Sequence, residues 1–346
     1  MSELDGHYTI ITKHLVDGNV VPFLGAGANL CGRPKNTSWR QGQGQYLPSG
    51  GELASFLAET FAYPPREVKL NCPSCHADVQ GTEESPDLAR VSQYVAVVAG
   101  DSGDLYRELH RVFDADYPAT SVHRFLAALP AVLARKGYPQ RQLLVVTTNY
   151  DDLMERAFRE AGQPFDTLTY RAWGEYRGRF FHTPPQGKAR LIENPNDYPE
   201  VSVEQRHVVL KIHGAVNRGR DWEQDSYVIR EDDYIEYLAC TTENMLPATV
   251  GKKLKESHLL FMGYSLSDLN LRVILYRLWS KLRFSYKSWA IQVKPQKIDQ
   301  EFWTRRNVEI LDVGLEDYIK ALESRIENLA PGKGEPPLSA ESWGDR

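Results

Sequence analysis

Cysteine is scarce. Four residues among 346 are too few for a disulfide framework, and their scatter points to reduced thiols. Long apolar runs are missing as well, since the longest, Phe125 to Ala134, is about half of what a bilayer span needs. Met1 to Asp5 offers no basic region ahead of an apolar stretch, so no secretory leader is read there and a cytoplasmic location is expected. No charge of one sign dominates: 41 Lys plus Arg against 46 Asp plus Glu leave a formal −5, which excludes a protein built around tight nucleic-acid binding. A Walker-type Gly-Lys-Ser/Thr sequence is absent too, which disfavours phosphoryl transfer by a P-loop. What is present is an ordinary globular composition, 42% hydrophobic and 25% charged, at a length that suits two domains or one large domain with an insertion.

Leu4, Tyr8, Ile11 and Leu15 fall on one helical face, and Asp17-Gly18-Asn19 stops that helix. Val20 to Leu24 then reads as a short buried strand, with Pro22 better suited to a strand start or edge than to a central position. Residues 31 to 51 are rich in Gly, Gln, Pro and Ser, and a loop of about twenty residues inside a compact domain is usually functional, so a lid is expected. Between Tyr63 and Gln142 the pattern predicts no strand but three helices, near Asp87 to Ala99, Asp104 to Phe113 and Val122 to Arg135. Further buried strands are expected at 143–148, 208–212, 258–262, 289–293 and 307–311, separated by helices. One of these follows Gly263-Tyr264-Ser265, with Ser267 as its cap and Leu271, Ile274, Leu275, Leu278 and Leu282 on one face. Continuous apolar strands alternating with helices predict an α/β, Rossmann-like, doubly wound and mostly parallel sheet. The expected domain is one unit over residues 1–330, with a core of 1–62 and 143–330, a helical insertion at 63–142, and a disordered tail at 331–346.

In such sheets ligands bind beyond the carboxyl ends of the strands, and the polar groups collect there. Gly25-Ala26-Gly27 follows a strand, so its amides can approach a pyrophosphate; equally, it can be a tight turn. Asn149 and Asp151 also follow a strand, where an amide can orient a water and a carboxylate can hold a carboxamide. The plainer alternative is a turn at Asn149 and a helix cap at Asp151 or Asp152. His213, before Gly214, is either a satisfied turn residue or a general base facing the same crevice. Gly263, Ser265 and Asp268 form a third strand-end set whose alternative role is capping.

Taken together, Gly25-Ala26-Gly27-Ala28-Asn29, Thr147-Thr148-Asn149-Tyr150-Asp151, Lys211-Ile212-His213-Gly214 and Phe261 to Asp268 resemble the sirtuin-like family in order and placement. More narrowly, the chain resembles its bacterial branch of NAD-cleaving anti-phage defence effectors. Leu47-Pro48-Ser49, Ile229 to Tyr234 and Phe302 to Val308 support the likeness, which covers about residues 10 to 325. The resemblance implies NAD+ as substrate in the crevice, with Gly25, Ala26 and Gly27 at the pyrophosphate and Asn29 where many relatives have serine. It implies Asn149 placing the water and ribose, Asp151 at the nicotinamide amide, and His213 as base. Gly263, Ser265 and Asp268 would face the adenosine half. The implied activity is NAD+ glycohydrolase; alternatives are an NAD-dependent deacylase or ADP-ribosyltransferase, or a non-catalytic NAD or ADP-ribose module. The resemblance further implies a homo-oligomer and a separately encoded partner such as a HerA-type ATPase or an Argonaute-like protein.

Deacetylating sirtuins carry two Cys pairs on zinc, and this chain has one, Cys72-Pro73-Ser74-Cys75, beside His76; Cys31 and Cys240 form no second pair, which disfavours bound zinc. The segment 171–190 interleaves Arg171, Arg177, Arg179, Lys188 and Arg190 with Trp173, Tyr176, Phe180 and Phe181. Such a stretch is a solvated hairpin, a subunit contact or a surface for single-stranded nucleic acid.

Overall fold

The computed structural model describes residues 3–64, 69–71, 78–80, 86–239, 245–266, 272, 275 and 285–332. The uninterrupted apolar run Val20–Leu24 forms β1, buried at every position, because helices cover both faces of the sheet at its centre. The equally buried runs Leu144–Thr147 (β4) and His207–Lys211 (β8) lie to one side of it, and His258–Met262 (β11) to the other. Among the described residues nine strands make one sheet, in the order β13-β12-β11-β1-β4-β8-β5-β6-β7. Here β5 is Phe165–Tyr170, β6 Phe180–Thr183, β7 Arg190–Leu191, β12 Ser288–Ile291 and β13 Val308–Leu311, while Gly214–Ala215 (β9) and Ser226–Tyr227 (β10) form a separate antiparallel pair. Pairing is parallel from β13 through to β5, and the two outer pairs, β5 with β6 and β6 with β7, are antiparallel.

Two sets of helices cover the sheet. The helices Glu3–Val16 (α1), Ser121–Arg135 (α5), Leu153–Glu160 (α6) and Leu315–Glu327 (α10) pack on the face carrying Val20, Leu24, Val145, Val209 and Met262. Alternate residues, among them Val21, Phe23, Val146, Leu210 and Phe261, meet Tyr237 of Glu231–Ala239 (α7), Leu254 of Ala248–Lys255 (α8) and Trp303 of Lys297–Thr304 (α9). A third core joins Gly50–Thr60 (α2), Leu88–Ala99 (α3) and Gly103–Phe113 (α4) to Tyr150, Val216 and Tyr227, which come from beyond the strand ends. In α4, Leu105, Leu109 and Val112 fall on one face and are fully buried, each contributing about 1.5–3 kcal/mol. These three helices sit at the carboxyl edge of β4 and β8.

Three expectations are corrected. Pro22 lies in a central strand; the ladder to β4 begins only at Phe23, so that neighbour makes no pairing at the residue lacking an N–H. The segment expected to be wholly helical contains a small antiparallel pair, Lys69–Asn71 (β2) with Asp78–Gln80 (β3). The strand β5 is not among those expected; its Phe-Asp-Thr-Leu-Thr-Tyr sequence alternates half-buried with buried residues, the period of a strand covered more deeply on one side. The segment 171–190 begins as the turn of the β5–β6 hairpin, and its cations largely find partners within the chain. Arg177 pairs with Glu236, Arg190 with Glu200, and Arg171 lies over the Trp173 and Phe181 rings.

The expected lid, residues 31 to 51, is irregular as far as 49, where α2 follows, but pinned. Glu52 takes a forked bond from Arg33, the Trp39 N–H at 2.8 Å and the Ser49 N–H at 2.9 Å, and Ser49 completes a capping box on α2. Several anticipated features lie outside the described residues: the helix positions Ser267, Leu271, Ile274, Leu278 and Leu282, the Cys72, Cys75, His76 group, Cys240, and residues 333–346. Leu275 is buried in the core, and Arg272 pairs with Asp299 at 3.0 Å. No helix among the described residues is long and apolar enough to cross a membrane.

Candidate active site

The carboxyl ends of four neighbouring strands, β11, β1, β4 and β8, deliver Gly263, Gly25, Asn149 and His213 to one edge. β1 and β11 end in loops that touch. Gly25 N–H donates to Met262 O at 3.0 Å, and Gly27 N–H to Gly263 O at 2.9 Å. A Cβ on Gly27 would come within 2.8 Å of Gly263, and one on Gly263 within 2.1 Å of Ala28 N. Gly263 also has φ +76°, open to glycine at little cost. The glycines therefore have a structural reason to be there: two backbones meet where no side chain fits. Gly25 and Gly27 spend their amides on that contact, while Ala26–Leu30 turns as a short 3-10 helix above it.

Asn149 and Asp151 are buried, at 8% and 5% exposure, and the loops meet through them. Asn149 Nδ2 donates to Gly25 O at 3.1 Å and to Asn29 Oδ1 at 3.3 Å. Asn29 Nδ2 in turn donates to Asp151 Oδ2 at 2.7 Å, and Leu153 N–H donates to Asp151 Oδ1 at 3.0 Å. Asp151 thus caps the start of α6 and also joins the glycine loop through Asn29. Both amide protons of Asn149 are occupied, which turns its Oδ1 into the acceptor available to a ligand. The glycine loop is held from behind as well, because Thr120 Oγ1 donates to Ala28 O at 2.9 Å.

His213 is 7% exposed, and its Nε2 is buried with no hydrogen-bond partner. Burial lowers its pKa to about 3, so the imidazole is neutral. Its carbonyl accepts Val228 N–H at 2.9 Å, and Gly214 follows at φ +82°, where a Cβ would strike Ser226 O at 2.0 Å. His213 ends β8 at a turn that only glycine completes. The Tyr150 and Tyr234 rings lie 6.4 and 5.7 Å from the imidazole, centre to centre. Of the remaining expected positions, Gly263 is in the loop contact, Ser265 is exposed beside it, and Asp268 lies outside the described residues.

Two residues escaped sequence reasoning. Lys211, at 1% exposure inside β8, donates from Nζ to the Asp151 carbonyl and pairs with Glu155 Oε1 at 3.1 Å. A lysine within an apolar strand run is a signal in itself, because a fully buried ammonium needs a partner. Tyr264 also matters: its hydroxyl donates to Leu24 O at 3.0 Å and shares a 2.6 Å bond with Thr148, tying the ends of β1, β4 and β11 together. Among the described residues no group of three metal-ligating side chains occurs.

Residues 143–311, which hold Asn149, His213 and Gly263, match the SIR2-like domain. The Gly25 loop lies ahead of the matched residues and joins them through β1. Over 265 residues the chain is 24% identical to Defense-associated sirtuin 2 of Bacillus subtilis, covering 72% of this chain and 22% of that protein. Over 207 residues it is 28% identical to the NAD(+) hydrolase ThsA of Enterococcus faecium, covering 60% of this chain and 34% of the relative. The chain thus spans between about a fifth and a third of the length of these curated relatives.

Proposed function

We propose that this SIR2-like domain cleaves NAD+ into nicotinamide and ADP-ribose, and that it serves as a triggered NAD-depleting effector in bacterial defence against phage. The observation that carries the reading is His213: a neutral, buried imidazole whose Nε2 has no partner, at the same sheet edge as Asn149 and the glycine loop. An unpaired buried nitrogen costs about 1–3 kcal/mol, and a bound ribose hydroxyl or water would satisfy it. The names of the two relatives, an NAD(+) hydrolase and a defence-associated sirtuin, support the same reading.

The residues suit that chemistry. Breaking the bond from ribose to nicotinamide leaves positive charge on the ribose, while the ring departs neutral and needs no general acid. Asn149 Oδ1, fixed by the two bonds its amide makes, would accept from the attacking water. His213 Nε2 would accept from the attacking water and take its proton as the water oxygen bonds to the ribose carbon, the point at which that proton becomes acidic enough for a weakly basic imidazole. Asp151, held by Asn29 and Leu153, adds negative charge at the same edge, where it stabilises the developing cation. The helices α2 to α4, which pack on Tyr150 and Tyr227, would close the crevice against bulk water. An unrestrained NAD+ hydrolase would deplete its own cell, so a homo-oligomeric state or a separately encoded partner is proposed as the trigger.

Purified protein incubated with NAD+, with and without the product of the neighbouring gene, should release nicotinamide and ADP-ribose in at least one condition. Asn149→Ala and His213→Ala should each abolish that release while leaving the protein folded by circular dichroism. Undiminished turnover in both variants would sink the assignment.

A further inference from the structure

A cavity of about 490 Å³ opens on the α6 face of the sheet, and none of Gly25, Asn149, His213 or Gly263 lines it. It lies beyond the end of α6, which is only eight residues long: Phe158 of that helix stacks on Phe165, and Thr167 and Thr169 farther along β5 line the cavity. Its volume falls in the ordinary range of small-molecule sites.

The charges lining it are Arg159, Arg171, Lys211 and Arg218, against Asp152 and Glu155. Arg218 is held by Asp152 at 3.2 Å, with Asp114 and Asp116 farther off at 3.9 and 3.8 Å. Arg171 instead donates to the carbonyl oxygens of Gln224 and Asp225 and lies over the Phe181 ring, contacts that position a guanidinium without cancelling its charge. Arg159 is 58% exposed and approaches Asp152 only to 3.7 Å. On the inner wall Lys211 pairs with Glu155, which is 6% exposed and whose Oε2 is buried without a partner. Arginines, the Phe181 ring and an unmet polar atom around one cavity are complementary to one kind of molecule.

We infer that this cavity binds a small phosphate ester, its phosphate at Arg159 and Arg171, its ring system against Phe181, and a hydroxyl or amino group on Glu155 Oε2. Guanidinium forks match phosphate oxygens in geometry as well as charge. Because Lys211 also donates to the Asp151 carbonyl, an occupant drawing on the Lys211–Glu155 pair acts on the Asn149 to Asp151 turn. The cavity is thus an effector site for the active edge; this second part rests on the proposed NAD+ cleavage, and the first does not.

Calorimetric titration of the full chain with AMP, ribose 5-phosphate and inorganic phosphate tests it. AMP or ribose 5-phosphate should bind saturably at one site, about tenfold or more tighter than inorganic phosphate, and which ester binds tells nucleotide from sugar phosphate. Arg159→Glu, a surface change that leaves the fold intact, should weaken binding about tenfold, and Thr169→Trp should block it, while His213→Ala should leave it unchanged. No saturable binding of either ester overturns the site, as does binding lost in His213→Ala yet kept in both cavity variants. Saturating ester should also change the NAD+ turnover of the wild type about threefold or more, and not that of Arg159→Glu, if coupling energies are of the usual size. An unchanged rate overturns the coupling; should the chain prove not to cleave NAD+, the titration still decides the site.

Discussion

Mild acid should unfold this protein well before its carboxylates titrate. Four histidines are buried and held neutral: burial lowers His7, His123 and His207 to about 4 and His213 to about 3. Geometry agrees at two of them. His207 Nδ1 accepts Leu143 N–H at 2.9 Å and His123 Nδ1 accepts Thr120 N–H at 3.2 Å, so a proton on either nitrogen would set donor against donor. Each folded pKa lies below the unfolded value of 6.5, so the unfolded chain binds more protons between those limits. Stability is therefore complete above pH 6.5 and falls as pH drops toward 4. At pH 5.5, one unit below the unfolded value, each histidine costs on the order of 1 kcal/mol and the four together on the order of 5, a large part of the roughly 5–15 kcal/mol available to a folded protein. Glu155, which burial raises and Lys211 draws back, opposes this by at most one proton. Urea unfolding at pH 7.5, 6.5 and 5.5 measures the slope, and His207→Gln should reduce it by one proton. A midpoint that stays level down to pH 5 would refute the reasoning.

Three further outcomes follow from single contacts. Gly263→Ala places a Cβ 2.1 Å from Ala28 N at a left-handed φ, and backbone cannot swing aside as a side chain would; the expected loss is about 2–4 kcal/mol in urea unfolding together with NAD+ binding. Glu52, held near pKa 2 chiefly by Arg33, pins residues 31–49, so Glu52→Gln should expose Arg40 to trypsin; in the wild type the pinning is complete above about pH 4.5 and is lost as pH falls toward 2, and unaltered digestion of the variant would disprove this. Asn29→Ala removes the partner of both Asn149 and Asp151 and should cost about 1–3 kcal/mol of transition-state stabilisation, read as a lower kcat for NAD+ with the thermal midpoint shifted by only a few degrees.

Much of this architecture is legible along the chain. Val20–Leu24, Leu144–Thr147, His207–Lys211 and His258–Met262 are short, largely apolar runs, each followed within two residues by glycine, asparagine or histidine, and a strand buried on both faces needs mostly apolar residues. The strand ends in turn name Gly25, Asn149, His213 and Gly263 as neighbours, because ligand-facing residues in such sheets gather at one edge. β5 is harder to see, since alternate residues on one of its faces are only half-buried and its alternation is brief.

What the chain by itself determined was the type of each element and which strand ends carry polar groups, since both depend on residues adjacent in sequence. Tertiary structure alone decided what those groups touch. Glycine at 27 and 263 can be read as turn chemistry until the two backbones are seen to meet; Asn149 can be read as a turn until its amide reaches Gly25 and Asn29. Lys211 and Glu155 stand 56 positions apart and become a buried pair only when α6 folds against β8. Contacts across such separations leave no local periodicity, and their energy exists only after the sheet has closed the distance.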